Sequence, residues 1–424
     1  MGSEQAKALV NFSEHRLANG LLAILVEDHS APTVSISLAY DVGSRDERPG
    51  ESGFAHLFEH MMFQGSENVG KGEHFLLIQN NGGTMNGTTS SERTNYYQTL
   101  PSNQLDLALF LEADRMKALA VTSANFENQR GTVIEERKQN YDNRPYGRSS
   151  EILPELVFDN FANAHSTIGS LADLEAFTFE QAVKFHNAYY TPNNCVIAVV
   201  GDVTKEHALQ RIHHYFGAIP SAPRPASPDV SEVTSAGERR QITIDPLARL
   251  ARIDIAFQIP AANSPDFHAL QLLTMVLSGG QSSRLYQEVV LKQEALSAGA
   301  FVQERRGPGM LVVAAFGPDE AKAEAALLRE IDRVCDHTVD AWELEKAKLT
   351  LRRQTSQQLL STVTRANLLA IYAVFYQDPD FLNRRLDLLD QVTLEDLQRV
   401  ARHYLDAPRR RTLLTLPPAQ EKAA

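Results

Sequence analysis

Residues 53–65 read Gly-Phe-Ala-His-Leu-Phe-Glu-His-Met-Met-Phe-Gln-Gly and carry the strongest chemical signal in the chain. His56 and His60 are spaced i, i+4, so on a helix they share one face about a turn apart. Two imidazoles in that arrangement can bind one tetrahedral metal ion. Glu59 borders the same face, where a carboxylate can act as general base on a metal-bound water whose pKa the metal lowers to about 7. The stretch predicts a metal-dependent hydrolytic site; the competing interpretation is an ordinary helix with two histidines.

A catalytic zinc site usually has three protein ligands and one water, so a third ligand is required. The order His-x-x-Glu-His is the inverzincin signature of zinc peptidases. The candidates for the third ligand are acidic residues of the helix predicted over 123–140, namely Glu127, Glu135 and Glu136. Geometry does not choose among them at this stage, and most helical glutamates are simply solvated.

The sequence around the motif alternates between predicted strands and predicted helices. Residues 21–27 and 33–40 are predicted strands, and residues 84–99 alternate with many Thr and Tyr, which predicts a strand pair. Helices are predicted at 53–63, 73–80, 103–119 and 123–140, and the one at 103–119 has an apolar helical pattern. Gly82-Gly83 is the predicted stop of the second helix, and Ser123 is the predicted N-cap of the fourth.

A helix followed by an apolar strand occurs twice, and the two copies are separated by about half the length of the chain. The matched residues, all at one constant offset, are Thr178, Phe179, Glu180, Phe185 and Tyr189 in one copy and Thr393, Leu394, Glu395, Val400 and Tyr404 in the other. Chance similarity is the alternative, but each copy lies near the end of its half of the chain, which favours duplication. The repeat predicts an α+β fold of two similar duplicated domains, each a mostly antiparallel sheet packed with helices.

A proline-rich segment separates the two copies and marks the predicted domain boundary. Residues 220–229 hold four prolines and continue into polar residues, which is typical of a linker. We therefore predict an N-terminal domain with the metal motif at 1–218, a linker at 219–239 and a C-terminal domain at 240–424.

Composition narrows the class of protein. The chain has 424 residues, 43% hydrophobic and 22% charged, which is typical of a folded protein with two or more domains. A net charge of -12 argues against a nucleic-acid partner. Cys195 and Cys335 are far apart, which does not support a cysteine metal site or a disulfide framework.

The sequence predicts neither a membrane span nor a signal peptide. No stretch is long and apolar enough to cross a bilayer, and residues 1–5 lack a basic start and an apolar core. We expect a soluble chain without a membrane partner, cytoplasmic as the sequence stands or periplasmic if the Met-Gly-Ser start replaces a signal peptide.

The motif and its surroundings resemble the pitrilysin family of zinc peptidases, which includes insulin-degrading enzyme, mitochondrial processing peptidase and two-subunit bacterial peptidases. The matching stretches are 41–44, 53–65, 83–90, 92–97 and 130–136. Weaker similarity continues into the C-terminal half, so the resemblance covers nearly the whole chain. It is closest to the catalytic subunit of a two-subunit bacterial peptidase and implies one Zn²⁺ per chain.

The resemblance also implies roles for individual residues. The family's third ligand follows the second histidine at a characteristic distance on the second helix, and Glu136 stands at that distance from His60. The resemblance therefore implies that Glu136, and not Glu135, is the third metal ligand. An acid that the family often places two turns earlier, in the outer shell, is Gln129 here, which can hydrogen-bond but supplies no charge. Asn86 lies on the strand to which the family adds peptide substrate; an ordinary turn or edge residue is the alternative.

One feature of the family is missing. Members that act alone or as identical pairs carry an Arg and, seven positions later, a Tyr, which contact the substrate carbonyl near the zinc. The matching positions here are Val290 and Ser297. Arg284 and Tyr286 lie too early and too close together to replace the pair. A missing oxyanion donor costs roughly 2.7–4 kcal/mol in other enzymes, so the resemblance implies a second, different subunit of the same fold that supplies the Arg/Tyr pair.

The sequence thus predicts a zinc-dependent metalloendopeptidase that hydrolyses unfolded peptides in a closed chamber, as the metal-bearing subunit of a heterodimer. A noncatalytic structural subunit of the same fold is one alternative, although a scaffold has no need of the intact metal motif. A dedicated precursor-processing peptidase is another, and the sequence does not separate it from a general oligopeptidase.

Overall fold

Gly53 begins the helix that carries the metal motif, α1 (Phe54–Met61). Its φ of 103° lies in the left-handed region that favours glycine. A Cβ at this position would also approach the carbonyl oxygen of Ile168 to 2.7 Å. Backbone conformation and close packing therefore both require glycine where the helix starts.

The computed structural model describes residues 8–233 and 237–419. The predicted absence of a signal peptide, made on residues 1–5, and residues 234–236 of the predicted linker lie outside this part of the chain. The strands are β1 (Ser13–Arg16), β2 (Leu22–Glu27), β3 (Thr33–Tyr40), β4 (Thr84–Thr89), β5 (Thr94–Pro101), β6 (Cys195–Gly201), β7 (Arg239–Ile244), β8 (Ala251–Ile259), β9 (Ser297–Gln303), β10 (Gly309–Gly317) and β11 (Arg411–Leu416). The helices after α1 are α2 (Glu73–Asn80), α3 (Leu105–Ala118), α4 (Ser123–Arg137), α5 (Ser149–Val157), α6 (Phe161–Ala164), α7 (Leu171–Ala176), α8 (Phe179–Tyr189), α9 (Lys205–Phe216), α10 (Pro265–Ser278), α11 (Glu320–Asp336), α12 (Ala341–Gln358), α13 (Thr362–Phe375), α14 (Phe381–Asp390) and α15 (Leu394–Tyr404). In these described ranges, no helix combines the length and the apolar composition that a bilayer crossing needs.

The elements predicted around the motif are present, with two corrections near α4. The strand pair predicted at 84–99 is the antiparallel hairpin β4–β5, and α2 has the predicted bounds. Ser123 is not the N-cap, because the hydroxyl of Thr122 accepts the bond from the Asn125 backbone N–H at 3.2 Å. The α-helix ends at Arg137, and Lys138–Asp142 form a π-helical turn in place of the predicted last α-helical residues.

The first compact unit contains a six-stranded sheet in the order β1-β2-β6-β3-β5-β4. β2 and β6 are parallel, and the other neighbouring strands are antiparallel. α13, from the C-terminal half of the sequence, packs against β3 and β6. There Ser35 and Thr362 share a hydrogen bond of 2.8 Å, and Arg365 forms an ion pair with Asp28. β4 lies at one edge of the sheet, which leaves the outer side of this strand available for pairing.

The second compact unit contains a five-stranded sheet in the order β7-β11-β8-β10-β9. β7 and β11 are parallel, and the other neighbours are antiparallel. α5, from the N-terminal half of the sequence, packs against β8 and β11. The core cluster at this contact consists of Leu153, Val157, Phe158, Ala256, Met310, Val312 and Leu413.

The two sheets repeat one pattern. The strands β2-β6-β3-β5-β4 of the first unit have the same order and the same relative directions as β7-β11-β8-β10-β9 of the second. α8 and α15 have equal lengths. Their first residues and their last residues are separated along the chain by the same offset as the residues of the sequence repeat. Thr178 and Thr393 cap these helices through the same capping-box arrangement. The predicted α+β fold of two similar domains is confirmed.

The compact units are not contiguous in sequence. The first contains the chain up to Ile134, Thr167–Pro228 and Thr355–Arg385, and the second contains Glu135–Ser166, Asp229–Gln354 and the chain from Leu386. Each compact unit therefore contains segments from both the N-terminal and the C-terminal half of the sequence. The sequence did not predict this exchange of segments. The predicted order of 1–218, linker 219–239 and 240–424 stays a prediction about how the chain is divided along its length. The break after Pro228 falls within that linker.

Candidate metal centre

α1 presents the histidine pair on its less buried face. The apolar residues of the helix are buried, while His56, Glu59 and His60 are half-buried. The rings of His56 and His60 lie 4.8 Å apart between centroids, with an angle of 73° between their planes. The i, i+4 spacing thus brings both imidazoles to one place, as the helical periodicity predicts.

Glu136 comes to the same place from the last turn of α4. One ligand atom from each of His56, His60 and Glu136 lies within 4.8 Å of the others. Three potential metal ligands from two helices, far apart in sequence, are therefore gathered at one point.

The two other acidic candidates on α4 have different surroundings. Glu135 is exposed and forms an ion pair with Lys138 at 2.7 Å. Glu127 is exposed and forms an ion pair with Arg130 at 2.5 Å. Adjacent residues on a helix are turned about 100° from each other, so Glu135 and Glu136 face different sides although they are neighbours in sequence.

The gathered side chains fit a zinc ion by their chemistry. Two imidazoles and one carboxylate form one of the three-ligand sets that proteins use for catalytic zinc. Zinc–ligand bonds of about 2.0–2.2 Å put the ligand atoms about 3.4 Å apart in a tetrahedral site. Small side-chain rotations would close the remaining difference from the 4.8 Å spread.

Glu59 is held by strand β4. The hydroxyl of Thr89 donates a hydrogen bond of 2.6 Å to Glu59 Oε2. Gly87 lies on the same strand, and a Cβ there would come within 3.2 Å of Glu59 Cγ. The missing side chain at Gly87 therefore lets the strand pass close to the stem of Glu59, while Thr89 binds its carboxylate.

Arg93 adds a positive charge to the same hairpin. Its guanidinium donates to the carbonyl oxygen of Thr88 at 3.0 Å and to the Thr88 hydroxyl at 2.7 Å. Burial lowers the pKa of Arg93 to about 10, and the charge of Glu59 opposes part of that change. Arg93 therefore stays a cation at neutral pH and interacts favourably with the carboxylate of Glu59.

The predicted substrate residue and the predicted outer-shell residue make only local hydrogen bonds, so their roles stay predictions. Asn86 is exposed on the edge strand β4, and its side-chain oxygen accepts from the backbone N–H of Gly87 at 2.9 Å. Gln129 is buried on α4, and its amide donates to Asn128 at 2.9 Å. Gln129 precedes Glu136 by about two helical turns.

The positions aligned with the family's Arg/Tyr pair lie in the second unit. Val290 is half-buried at the end of a π-helical turn, and Ser297 is exposed as the first residue of β9. The guanidinium of Arg284 is bound by both carboxylate oxygens of Glu343, at 2.8 and 2.6 Å. Arg284 thus has a structural partner, in agreement with its exclusion as a substitute for the missing arginine.

Residues 22–170 match the model described as insulinase (peptidase family M16), and residues 176–351 match the model described as the peptidase M16 inactive domain. The chain belongs to peptidase family M16. The resemblance to the pitrilysin family is therefore confirmed.

Relatives of this M16 chain include proteins that are named zinc proteases. The zinc protease PqqE of Helicobacter pylori is 29% identical over 416 residues, which cover 95% of this chain and 92% of the relative. The crystal structure of a protease from Helicobacter pylori has a TM-score of 0.92 at 26% identity and covers 96% of this chain and 100% of its own. A chain in the structure of complex III2 from Candida albicans has a TM-score of 0.81 at 15% identity, with 96% of each chain covered, and shows the fold alone.

Sequence reasoning missed two groups beside the general-base candidate of this M16 chain. Thr89 and Arg93 belong to the β4–β5 hairpin and Glu59 to α1, and no helical or strand periodicity links positions so far apart in sequence. The available signal was the stretch 83–90 of the family resemblance, which contains Thr89 but does not say which atom it touches.

Proposed function

We propose that this chain is a zinc-dependent metalloendopeptidase and that it carries the catalytic metal. The observation that supports the proposal is the gathering of His56, His60 and Glu136 within 4.8 Å, next to a glutamate held by a separate strand. A scaffold has no evident use for two imidazoles and a carboxylate brought together from different helices.

In this proposal the histidines bind zinc through ring nitrogens and Glu136 binds it through its carboxylate. A zinc ion held there would polarise the scissile carbonyl and lower the pKa of water to about 7. Gln129 would act outside the ligands, where its amide can orient a neighbour by hydrogen bonding but cannot add negative charge. One ion per chain matches the one group of possible metal ligands, His56, His60 and Glu136, found among the residues that the structure describes.

Glu59 is the proposed general base. Its carboxylate would take a proton from the attacking water and give a proton to the leaving amine. The hydrogen bond from Thr89 restricts how this carboxylate can turn. Proton transfer of this kind contributes about 10²–10⁴-fold to the rates of other enzymes.

Strand β4 is the proposed binding edge for the peptide. A sheet edge binds an extended peptide through main-chain hydrogen bonds, which give little sequence selectivity. Asn86 is exposed on this edge, where its amide can contact the substrate backbone. Such binding requires an extended chain, so unfolded peptides are the proposed substrates and folded proteins are not.

A second, different subunit of the same fold is the proposed partner. The side chain of Val290 has no donor, and that of Ser297 is too short to reach as far as a tyrosine hydroxyl. The partner would supply the Arg and Tyr, and the two subunits would enclose the peptide in a chamber. Losing an oxyanion donor costs roughly 2.7–4 kcal/mol elsewhere, about 10²–10³-fold in rate, so the chain alone would be slow.

A noncatalytic structural subunit is the alternative. We retain it because a chain of complex III2 has the same fold. The test is to purify the chain with its co-purifying proteins, measure zinc, and assay hydrolysis of a quenched fluorescent peptide before and after chelation. We expect about one zinc per chain, loss of hydrolysis on chelation and recovery on adding zinc. A metal-free complex that hydrolyses nothing after zinc addition would support the structural alternative.

Assaying the same preparation on several unrelated unfolded peptides separates a dedicated precursor-processing peptidase from a general one. Cleavage of several unrelated unfolded peptides favours the general peptidase, whereas cleavage at one site of one precursor favours the dedicated enzyme. The compartment, cytoplasmic or periplasmic, stays a prediction.

A further inference from the structure

We propose that Thr89 is the positioning residue for Glu59, so that the strand assigned to peptide binding also orients the general base. The inference rests on the proposed function, because it assigns a second role to the same site. Its basis is the hydrogen bond of 2.6 Å from the Thr89 hydroxyl to Glu59 Oε2. That length falls in the range of charge-assisted O–H···O⁻ bonds, which are about 2.5–2.7 Å long.

The direction of this hydrogen bond is set by chemistry. An ionised carboxylate has no proton, so the Thr89 hydroxyl must donate and Glu59 Oε2 must accept. The bond restrains the carboxylate and directs one oxygen to the strand. We assign the other oxygen, Oε1, to proton transfer with water. Removing the bond takes away one restraint on the last side-chain torsion of Glu59, which has a broad energy profile.

The sheet holds Thr89 itself in place. Thr89 is the last residue of β4 and pairs with Thr94 of β5. Thr94 is fully buried, and its hydroxyl donates to the carbonyl oxygen of Val42 at 3.0 Å. Thr89 is β-branched, which restricts its first side-chain torsion in a strand. The hydroxyl therefore has a well-defined position from which to hold Glu59.

Gly87 is the second residue of β4 that lies close to Glu59. Residues 87 and 89 are two positions apart on a strand and so point to the same face. A Cβ at Gly87 would lie 3.2 Å from both Glu59 Cγ and the ring of Tyr96. The hydroxyl of Tyr96 in turn donates to the carbonyl oxygen of Phe58 at 3.3 Å. β4 thus contacts the stem of Glu59 at one residue and its carboxylate at another.

A purely structural hydroxyl and a positioning hydroxyl have different consequences. A structural hydroxyl affects stability and lowers activity to the same extent whether or not the base is present. A positioning hydroxyl acts through Glu59, so its effect falls on kcat and disappears once Glu59 is removed. In metal sites, changing a group that supports a ligand lowers metal affinity or activity by about 10–100-fold, and we expect a loss of the same order for the group that supports the base.

The test uses the full chain in its peptide-hydrolysing preparation, with its partner where one is required. Thr89→Val removes the hydroxyl at nearly constant shape, and Thr89→Ser keeps the hydroxyl. Thr99→Val is the matched control, because Thr99 lies on β5 and its hydroxyl shares a hydrogen bond of 2.8 Å with Ser35, outside the site. Zinc content, kcat and KM are measured for each variant and also for Thr89→Val combined with Glu59→Gln. Crystal structures of the wild type and Thr89→Val give a readout that does not depend on activity.

We expect Thr89→Val to keep its zinc, to lose about 10–100-fold in kcat and to change KM by less than about twofold, with Glu59 rotated away from its wild-type position. Thr89→Ser should recover most of the loss, and Thr99→Val should keep its kcat. In the double variant, Thr89→Val should cause no loss of kcat beyond that of Glu59→Gln.

The inference is overturned if Thr89→Val keeps both full kcat and the Glu59 position. It is also overturned if Thr89→Val lowers kcat by the same factor in the Glu59→Gln background. If the wild type binds no zinc and hydrolyses nothing, the proposed function fails and the inference fails with it. An active wild type with an unaffected Thr89→Val overturns the inference alone.

Discussion

The imidazole rings of His56 and His60 lie 4.8 Å apart on one face of α1, with an angle of 73° between their planes. Both rings are placed by a single helix, whereas the third candidate ligand, Glu136, comes from α4. The metal centre therefore depends on two elements, and substitutions on α4 can test it without changing the histidine pair.

The first prediction compares two adjacent glutamates. Glu136→Gln should lower zinc affinity by at least about 10–100-fold, because an amide oxygen carries no charge to offset that of the metal. Glu135→Gln should leave affinity unchanged, since Glu135 is paired with Lys138. Competition titration with a zinc chelator measures both variants. Equal zinc retention would reject Glu136 as a ligand.

The second prediction separates catalysis from metal binding. Glu59→Gln should keep about one zinc per chain and lower peptide hydrolysis by about 10²–10⁴-fold, because the amide cannot accept the proton. Glu67→Gln is a suitable control, since Glu67 is an exposed residue in an ion pair with Lys117. Metal analysis and a quenched-peptide assay give the two readouts. Near-normal turnover by Glu59→Gln would remove Glu59 from the mechanism.

The third prediction concerns the partner. The isolated chain, supplied with zinc, should hydrolyse a quenched peptide about 10²–10³-fold more slowly than its complex with the proposed same-fold partner. The physical reason is that the side chain of Val290 has no donor and the hydroxyl of Ser297 is too short to reach as far as that of a tyrosine. In that partner, substituting the Arg or the Tyr should return the complex to the rate of the isolated chain. Full activity from the isolated chain would show that no second subunit is needed.

The fourth prediction is a pH dependence of stability that arises from His74. Burial lowers the pKa of His74 to about 3, and the charge of Arg115 adds to this effect, while a weak contact with Gln98 opposes it. The unfolded histidine binds a proton below about 6.5 and the folded one only below about 3, so the free energy of unfolding falls as the pH decreases between these values. By pH 5 this loss of stability amounts to about 2 kcal/mol.

Urea unfolding of the metal-free protein between pH 7 and pH 4 tests this effect, since removing zinc excludes metal release as a cause of pH dependence. As the pH falls, the free energy of unfolding should decrease less in His74→Leu than in the wild type. The difference between the two slopes against pH should correspond to the uptake of about one proton on unfolding. Parallel curves for the two proteins would show that His74 does not titrate differently in the folded and unfolded states.

The local parts of the fold could be predicted from the sequence. The i, i+4 spacing of His56 and His60 places both on one helical face, whatever lies around that helix. Thr178 and Thr393 each begin a helix, because a threonine hydroxyl satisfies the free backbone N–H groups of the first turn. The placement of Ser123 as a cap was wrong by one position, because Thr122 is an equally good cap and the pattern does not distinguish neighbours.

Other relations depend on how distant segments meet, and only the tertiary structure decided them. The spacing along the chain left Glu127, Glu135 and Glu136 open, the resemblance favoured Glu136, and in the folded chain the ligand atoms of Glu136 and the two histidines lie within 4.8 Å of one another. The contact of Thr89 with Glu59 and the exchange of segments between the two units had no signature in the sequence. Helical periodicity and capping arise from residues within a few positions of each other, so the sequence by itself determined where the metal motif lies. The repeat of matched residues at one constant offset likewise determined that the fold is duplicated. Contacts between distant segments depend on the path of the whole chain, so only the folded structure decided which side chains complete the site.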